Sequence, residues 1–340
     1  MTTRRNFMKT AAAVTAGAAA LTGAAATRAE VTKAAAPGPR QLPRGLTLLA
    51  MVQPDGAETL GVKLPHGVLD VAKASRALNM AAPATLEEML AAGSAGAVEA
   101  LVASAADRRE FVVAEADVKF GRLFKNPGKI VCVGLNYKEH VEEAGEKLPR
   151  TPILFNKYNN TLAAHNCTIR LPPREVSYKF DYETELVVVI GKTARNVSPA
   201  EALDHVAGYA AGNDFSARDL QLETGGQWMI GKTLDSFAPI GPYFVSADLI
   251  DPNNLTIETF VNDETRARQS SNTSKFIFNP QAVISYASKL FALEPGDIIF
   301  TGTPSGVIIG MPKDKQVWLK AGDRIESRIE KLGALKFDLA

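Results

Sequence analysis

Glu183 and Glu185 stand two residues apart at the head of an apolar run, Asp181-Tyr182-Glu183-Thr184-Glu185-Leu186-Val187-Val188-Val189-Ile190. In an extended strand, residues i and i+2 leave the same face, so both carboxylates point one way. The apolar continuation carries them into a folded interior, where adjacent anions repel each other and lose hydration. A divalent cation with oxygen ligands is the natural compensation. A third acid, Asp214, follows in Asn213-Asp214-Phe215-Ser216-Ala217-Arg218-Asp219. Spacing alone does not bring it beside the glutamates. A capping or turn role stays open for it, and Asp181 and Asp219 are rival acids.

A second cluster is Gly134-Leu135-Asn136-Tyr137-Lys138-Glu139-His140-Val141-Glu142-Glu143. It begins where a strand-like run ends, a common position for functional loops. His140 and Glu143 are three residues apart and share a face if the segment is helical. A carboxylate on one imidazole nitrogen leaves the other to take a proton. The competing reading is an acid-rich, solvated helix start. His66, His165 and His205 lack a comparable acidic partner at a strand exit. Near the C-terminus, Gly302-Thr303-Pro304-Ser305-Gly306 has no Gly-Lys-Ser/Thr after it, so it is not a nucleotide P-loop. Its glycines permit unusual backbone angles, and it can present Thr303 and backbone donors to a carboxylate or form a tight structural hairpin.

These residues need a scaffold. Strand-like runs recur at 130–133, 185–190, 240–245, 255–261 and 297–301, separated by turn residues. Residues 199–211 and 280–290 read as helices, each with proline at its front. Strands outnumber helices without regular alternation, which predicts an α+β chain with a mixed, strongly curled β-sheet. Residues 46–125 read as a smaller N-terminal α/β module, and residues 126–340 as the catalytic domain. Arg4-Arg5 with Phe7 and Lys9, ahead of an Ala-rich apolar run, reads as a twin-arginine export signal over 1–29. A proline-bearing linker follows over 30–45. That reading implies the bacterial export machinery as a transient partner and a periplasmic location. A formal charge of +1, with no concentrated basic patch, argues against a nucleic-acid partner. Cys132 lies in an apolar strand pattern, so it reads equally as a buried free thiol or as a disulfide partner of Cys167.

Taken in order, five motifs carry a resemblance. They are Val133-Gly134-Leu135-Asn136-Tyr137 with His140, the Asp181–Leu186 run, the Asn213–Asp219 run, Lys232-Thr233-Leu234-Asp235 leading to Pro239-Ile240-Gly241-Pro242, and the Gly296–Val307 run. From about Lys129 onward the chain resembles the fumarylacetoacetate hydrolase family, particularly its acylpyruvase-like branch. The resemblance implies the C-terminal domain fold of that family, a homodimer, and Mg²⁺ or Mn²⁺ held by Glu183, Glu185 and Asp214. It implies that His140 with Glu143 activates water and that Lys232 is the active-site lysine. Gln221 and Thr303 match residues that hold the acid end of a small oxo-acid substrate. Lys157 matches a further cleft position, although the following Tyr158-Asn159-Asn160-Thr161 departs from the commoner serine-containing form. The expected reaction is hydrolysis of a C–C bond in an acylpyruvate-like 2,4-dioxo acid. Decarboxylation of an oxaloacetate-type acid, isomerisation of an unsaturated oxo acid, and a binding protein without catalysis are the alternatives.

Overall fold

The computed structural model describes residues 41–340, so the segment read as an export signal lies outside the described residues, as does most of the linker. The chain opens with β1 (Thr47–Val52), β2 (Glu58–Leu64) and β3 (Gly67–Asp70). Helices α1 (Val71–Leu78), α2 (Leu86–Ala92) and α3 (Ala95–Ala105) precede β4 (Val112–Val113). Then come β5 (Ile130–Gly134), α4 (Lys138–Glu143), β6 (Ile153–Asn156), β7 (Leu162–Ala163) and β8 (Cys167–Ile169). The central part holds β9 (Phe180–Asp181), β10 (Thr184–Ile190), β11 (Val206–Asn213), β12 (Ser216–Ala217), α5 (Arg218–Glu223) and β13 (Ala238–Ser246). The chain closes with β14 (Thr256–Val261), β15 (Gln269–Asn272), α6 (Pro280–Leu290), β16 (Ile298–Phe300), β17 (Arg324–Ile329) and β18 (Gly333–Leu339).

The largest sheet runs β4-β3-β2-β1-β13-β11-β10-β16-β5-β6, with β7 paired to β13. A five-stranded sheet, β15-β14-β17-β18-β8, is the second. The sheet is mixed, since β5 runs parallel to β16 while most other neighbours are antiparallel. The expectation of a strongly curled sheet is not met. The ladder is an open path whose two end strands, β4 and β6, have one neighbour each. Which strands terminate a sheet is decided by pairing between segments far apart in sequence, which local pattern does not encode. The first four strands extend the same sheet through β1 and β13, in register at Thr47↔Val245 and Leu48↔Phe244.

Strand β10 is buried along its whole length. Leu186, Val188 and Ile190 enter one apolar cluster, and Val187 and Val189 the other. A strand covered on both faces reads as a continuous apolar run, as this one does. The stretch 199–211 is not the expected helix: a short 3-10 turn at Ala202–His205 leads into β11 (Val206–Asn213). Its position between β10 and β13 overrides the helix propensity of its alanines. Gly208 permits the close pairing, because a Cβ there would lie 2.2 Å from the Val245 carbonyl oxygen. The expected helix at 280–290 is α6, with Pro280 at its start and the Asn279 side chain accepting from the Ala282 N–H at 3.0 Å. Cys132 and Cys167 are both free thiols.

Candidate metal centre and cleft

The β10–β11 ladder answers the spacing problem. Thr184 pairs with Asn213, and one step further the Asp214 N–H donates to the Glu183 carbonyl oxygen at 2.9 Å. Antiparallel pairing thereby sets Asp214 against the two glutamates. Oxygens of Glu183, Glu185 and Asp214 lie within 4.8 Å of one another, and all three residues are buried. Three carboxylates at this separation form an oxygen donor set able to hold a divalent cation. The rival acids are engaged elsewhere. Asp181 accepts from the Ile308 and Ile309 N–H groups at 2.9 and 3.1 Å, and Asp219 accepts from the Ser177 hydroxyl and the Tyr178 N–H.

Cations surround the cluster. Lys232 Nζ donates to Glu183 Oε2 at 2.6 Å and to Asp214 Oδ2 at 2.8 Å. Arg218 donates through Nη2 to Glu183 Oε1 at 2.7 Å and through Nε to Asp181 Oδ2 at 2.9 Å. Lys157 Nζ donates to Asp214 Oδ1 at 2.6 Å and to the Phe215 carbonyl oxygen at 3.2 Å. The two glutamates consequently differ. Burial raises the Glu183 carboxyl, but the charges of Arg218, Lys232 and His140 outweigh it and hold the group below the usual carboxylate range. Burial and the anions Asp214 and Glu183 push Glu185 well above that range, against Lys232 and the Gly302 N–H, which donates to Glu185 Oε2 at 2.7 Å. Burial lowers the lysine pKa at position 157, and Lys232 adds to that effect while Asp214 opposes it. At Lys232 burial is overcome by Asp214 and Glu183, so the ammonium is favoured.

His140 sits on α4 with Nδ1 2.8 Å from Glu143 Oε1. The other carboxylate oxygen, Oε2, accepts the Gly306 N–H at 2.9 Å, which fixes Glu143 against the C-terminal loop. That loop therefore directs donors at the protein's own acids, through Gly302 to Glu185 and through Gly306 to Glu143. Both glycines have positive φ, 94° and 102°, and a Cβ on Gly306 would lie 2.2 Å from the Arg268 carbonyl oxygen. Asn136 braces the same region, donating to the carbonyl oxygens of Thr301 and Phe278 at 2.7 and 2.9 Å.

His140, Glu183, Glu185, Asp214, Gln221, Lys232 and Thr303 line one cleft of about 140 Å³. Lys157 does not line it; it lies behind Asp214. The Thr303 hydroxyl accepts from Gln269 Nε2 at 2.8 Å and donates to the Thr184 carbonyl oxygen at 3.0 Å. Gln221 Oε1 accepts from Arg218 Nη1 at 2.9 Å. Arg218, buried and on the cleft wall, was not singled out by spacing. The available signal was an arginine four residues after Asp214, inside an otherwise apolar and acidic motif.

Residues 129–340 match the family described as "Fumarylacetoacetate (FAA) hydrolase C-terminal". The chain is 53% identical over 219 residues to the fumarylacetoacetate hydrolase domain-containing protein 2 homolog of Dictyostelium discoideum, covering 62% of this chain and 70% of the relative. It is 38% identical over 280 residues to the mitochondrial oxaloacetate tautomerase fahd2 of Xenopus laevis, covering 81% of this chain and 84% of the relative. Among solved structures, fumarylacetoacetate hydrolase from Exiguobacterium antarcticum superposes with a TM-score of 0.70 at 31% identity, covering 86% of this chain and 99% of that one.

These relatives correct three expectations. Proteins named oxaloacetate tautomerase, found in Xenopus, rat and human, are similar over about four-fifths of this chain, which overturns the expected C–C bond hydrolase in favour of the oxaloacetate and isomerase alternative. An acylpyruvase-like branch is not what these names carry. They also describe mitochondrial proteins, which overturns the exported, periplasmic location with its twin-arginine signal. Among the described residues, no helix is long and apolar enough to cross a membrane. The chain belongs to the fumarylacetoacetate hydrolase family.

Proposed function

We propose that this chain catalyses metal-assisted keto–enol tautomerisation of a 2-oxo acid of the oxaloacetate class. The observation that carries the reading is one oriented imidazole, His140, lining the same cleft as an oxygen-only donor cluster. Tautomerisation moves a proton between C3 and the 2-oxygen and breaks no carbon–carbon bond, so a single base that returns its proton suffices. Mg²⁺ or Mn²⁺ held by Glu183, Glu185 and Asp214 would polarise the 2-oxo group.

His140 takes the proton from C3 through Nε2 and returns it at oxygen, and the reverse reaction runs the same steps backwards. Glu143 keeps Nδ1 as a donor and stabilises the imidazolium that forms in between. Lys232 brings positive charge to the oxygen on which negative charge develops. Gln221 holds the acid end through its amide N–H groups, and Lys157 orients Asp214. The Thr303 hydroxyl, which donates to the Thr184 carbonyl oxygen, lines the cleft without a proton to give the acid. A homodimer is part of this reading, and light scattering measures it directly.

The test follows the enol absorbance of freshly dissolved oxaloacetate with Mg²⁺-loaded protein, alongside a CO₂ assay. Faster interconversion with no loss of CO₂, abolished by His140→Gln, is the expected result. An unchanged interconversion rate with folded, loaded protein overturns the proposal. Release of CO₂ in its place transfers the reading to decarboxylation.

A further inference from the structure

Glu143, the partner of His140, is closed in on three sides. His140 Nδ1 lies 2.8 Å from its Oε1, and the Gly306 N–H donates to its Oε2 at 2.9 Å. The third side is Gly310, in the short 3-10 turn Ile308–Gly310. A Cβ at position 310 would come within 2.4 Å of the Glu143 carboxyl carbon and within 2.7 Å of its Cγ and Oε2. The three nearest atoms thus all belong to Glu143. Gly310 is not among the residues with positive φ, so its backbone does not itself call for glycine. The missing side chain answers to the carboxylate and not to the turn.

The turn is braced against giving way. Ile308 and Ile309 donate their N–H groups to Asp181 at 2.9 and 3.1 Å, and Asp181 also accepts from Arg218 Nε at 2.9 Å. On the other side, Gln316 Nε2 donates to the carbonyl oxygens of Ile309 and Met311 at 3.0 and 2.9 Å. A methyl group at position 310 therefore acts on Glu143, whose carboxyl carbon must withdraw by about 1 Å to reach ordinary contact. It does not keep both of its bonds in doing so, because one partner stands on α4 and the other on the C-terminal loop.

We infer that Gly310 is a positioning residue for the proton transfer: the space its side chain would fill holds the Glu143 carboxylate against His140. For the reaction it serves, this rests on the tautomerase reading; the contact itself does not. Gly310 is not on the cleft wall, although Ile309 before it is, so it acts through Glu143 alone. Without that space Glu143 leaves Nδ1, and the imidazole loses the bond that fixes its tautomer and its direction. Nε2 then no longer meets the C3 proton in line.

The experiment sets Gly310→Ala beside its parent, and repeats the pair in a Glu143→Ala background, all as Mg²⁺-loaded protein. Two quantities are read: oxaloacetate tautomerisation, and the downfield proton resonance of His140 Nδ1–H, assigned by its loss in His140→Gln. Gly310→Ala is expected to lower kcat about 100-fold, the scale on which an ångström of misplacement acts, with KM and Mg²⁺ affinity within about twofold. The Nδ1–H resonance is expected to move upfield or disappear. In the Glu143→Ala background the same substitution is expected to leave kcat and the unfolding midpoint alone, because a residue that acts through one partner loses its effect with that partner. A cost that persists there, in turnover or in stability, overturns the inference. So does a resonance that Gly310→Ala leaves in place, whatever the turnover. If the resonance moves while the parent does not interconvert oxaloacetate, Gly310 keeps its role and the tautomerase reading alone falls.

Discussion

The head of β10 presents two buried polar networks on opposite faces, and they are built on different terms. Glu183 and Glu185 face the carboxylate cluster with its lysines and arginine. Thr184, between them, faces hydroxyls and amides. Its Oγ1 lies 2.5 Å from Thr259 Oγ1 and donates to Ser327 Oγ at 2.7 Å, and its N–H donates to Gln269 Oε1 at 3.2 Å. Asn213 Nδ2 donates to Ser327 Oγ at 3.0 Å. Thr259 and Ser327 belong to β14 and β17, so this neutral network ties the large sheet to the second one. Its groups satisfy one another, whereas Glu185 is held among like charges. Neutral groups that are mutually paired contribute to the fold, while charges left partly frustrated await a ligand.

The largest test of that contrast is Lys232→Met. Removing the ammonium leaves Glu183 and Asp214 buried and undercompensated, so the metal-free protein is expected to lose about 3–5 kcal/mol in urea unfolding. Added Mg²⁺ restores part of the loss, because a ligand of the native state stabilises it by mass action. A variant as stable as its parent without metal would show that the cluster carries little unbalanced charge. Glu185→Gln tests the same network from its frustrated member. It removes a ligand, and Mg²⁺ affinity is expected to fall about 100-fold, or about 2.7 kcal/mol. It also removes repulsion, so the metal-free variant is expected to melt no lower than its parent. Loss of stability together with loss of affinity would place Glu185 among the structural groups.

Much of this contrast was legible in sequence, but unevenly. The alternation in Glu183-Thr184-Glu185 put both acids on one face, and the i, i+3 spacing of His140 and Glu143 gave their 2.8 Å contact. Asp214 was not placed by spacing, because residues 199–211 ahead of it read as a helix and only the strand pairing of β11 sets Asp214 beside Glu183. The open sheet was missed for a related reason, since end strands are defined by distant neighbours. The roles of Gly302 and Gly306 as donors to Glu185 and Glu143 depend on backbone direction, which residue type does not specify.

Thr184→Val addresses the neutral face. Valine keeps the shape but removes the hydroxyl, leaving the Thr259 and Ser327 groups short of a partner, and about 1–3 kcal/mol of stability is expected to go. Mg²⁺ affinity measured by calorimetry is expected to stay within about twofold if the two faces are separable.

The smallest effect is the most informative about where they join. Asn213 accepts the Glu183 N–H through Oδ1 at 3.1 Å while Nδ2 holds Ser327, so one side chain belongs to both networks. Ser327→Ala frees the amide end of Asn213 and relaxes its grip on the backbone of a candidate ligand. Mg²⁺ affinity is expected to weaken by a few-fold, within the roughly 0.5–2 kcal/mol over which residues outside a site modulate it. Thr184→Val, which leaves Asn213 untouched, should not reproduce that change. Equal effects of the two variants on affinity would mean that the sheets respond as one body, and that the contrast between the faces of β10 lies in charge alone.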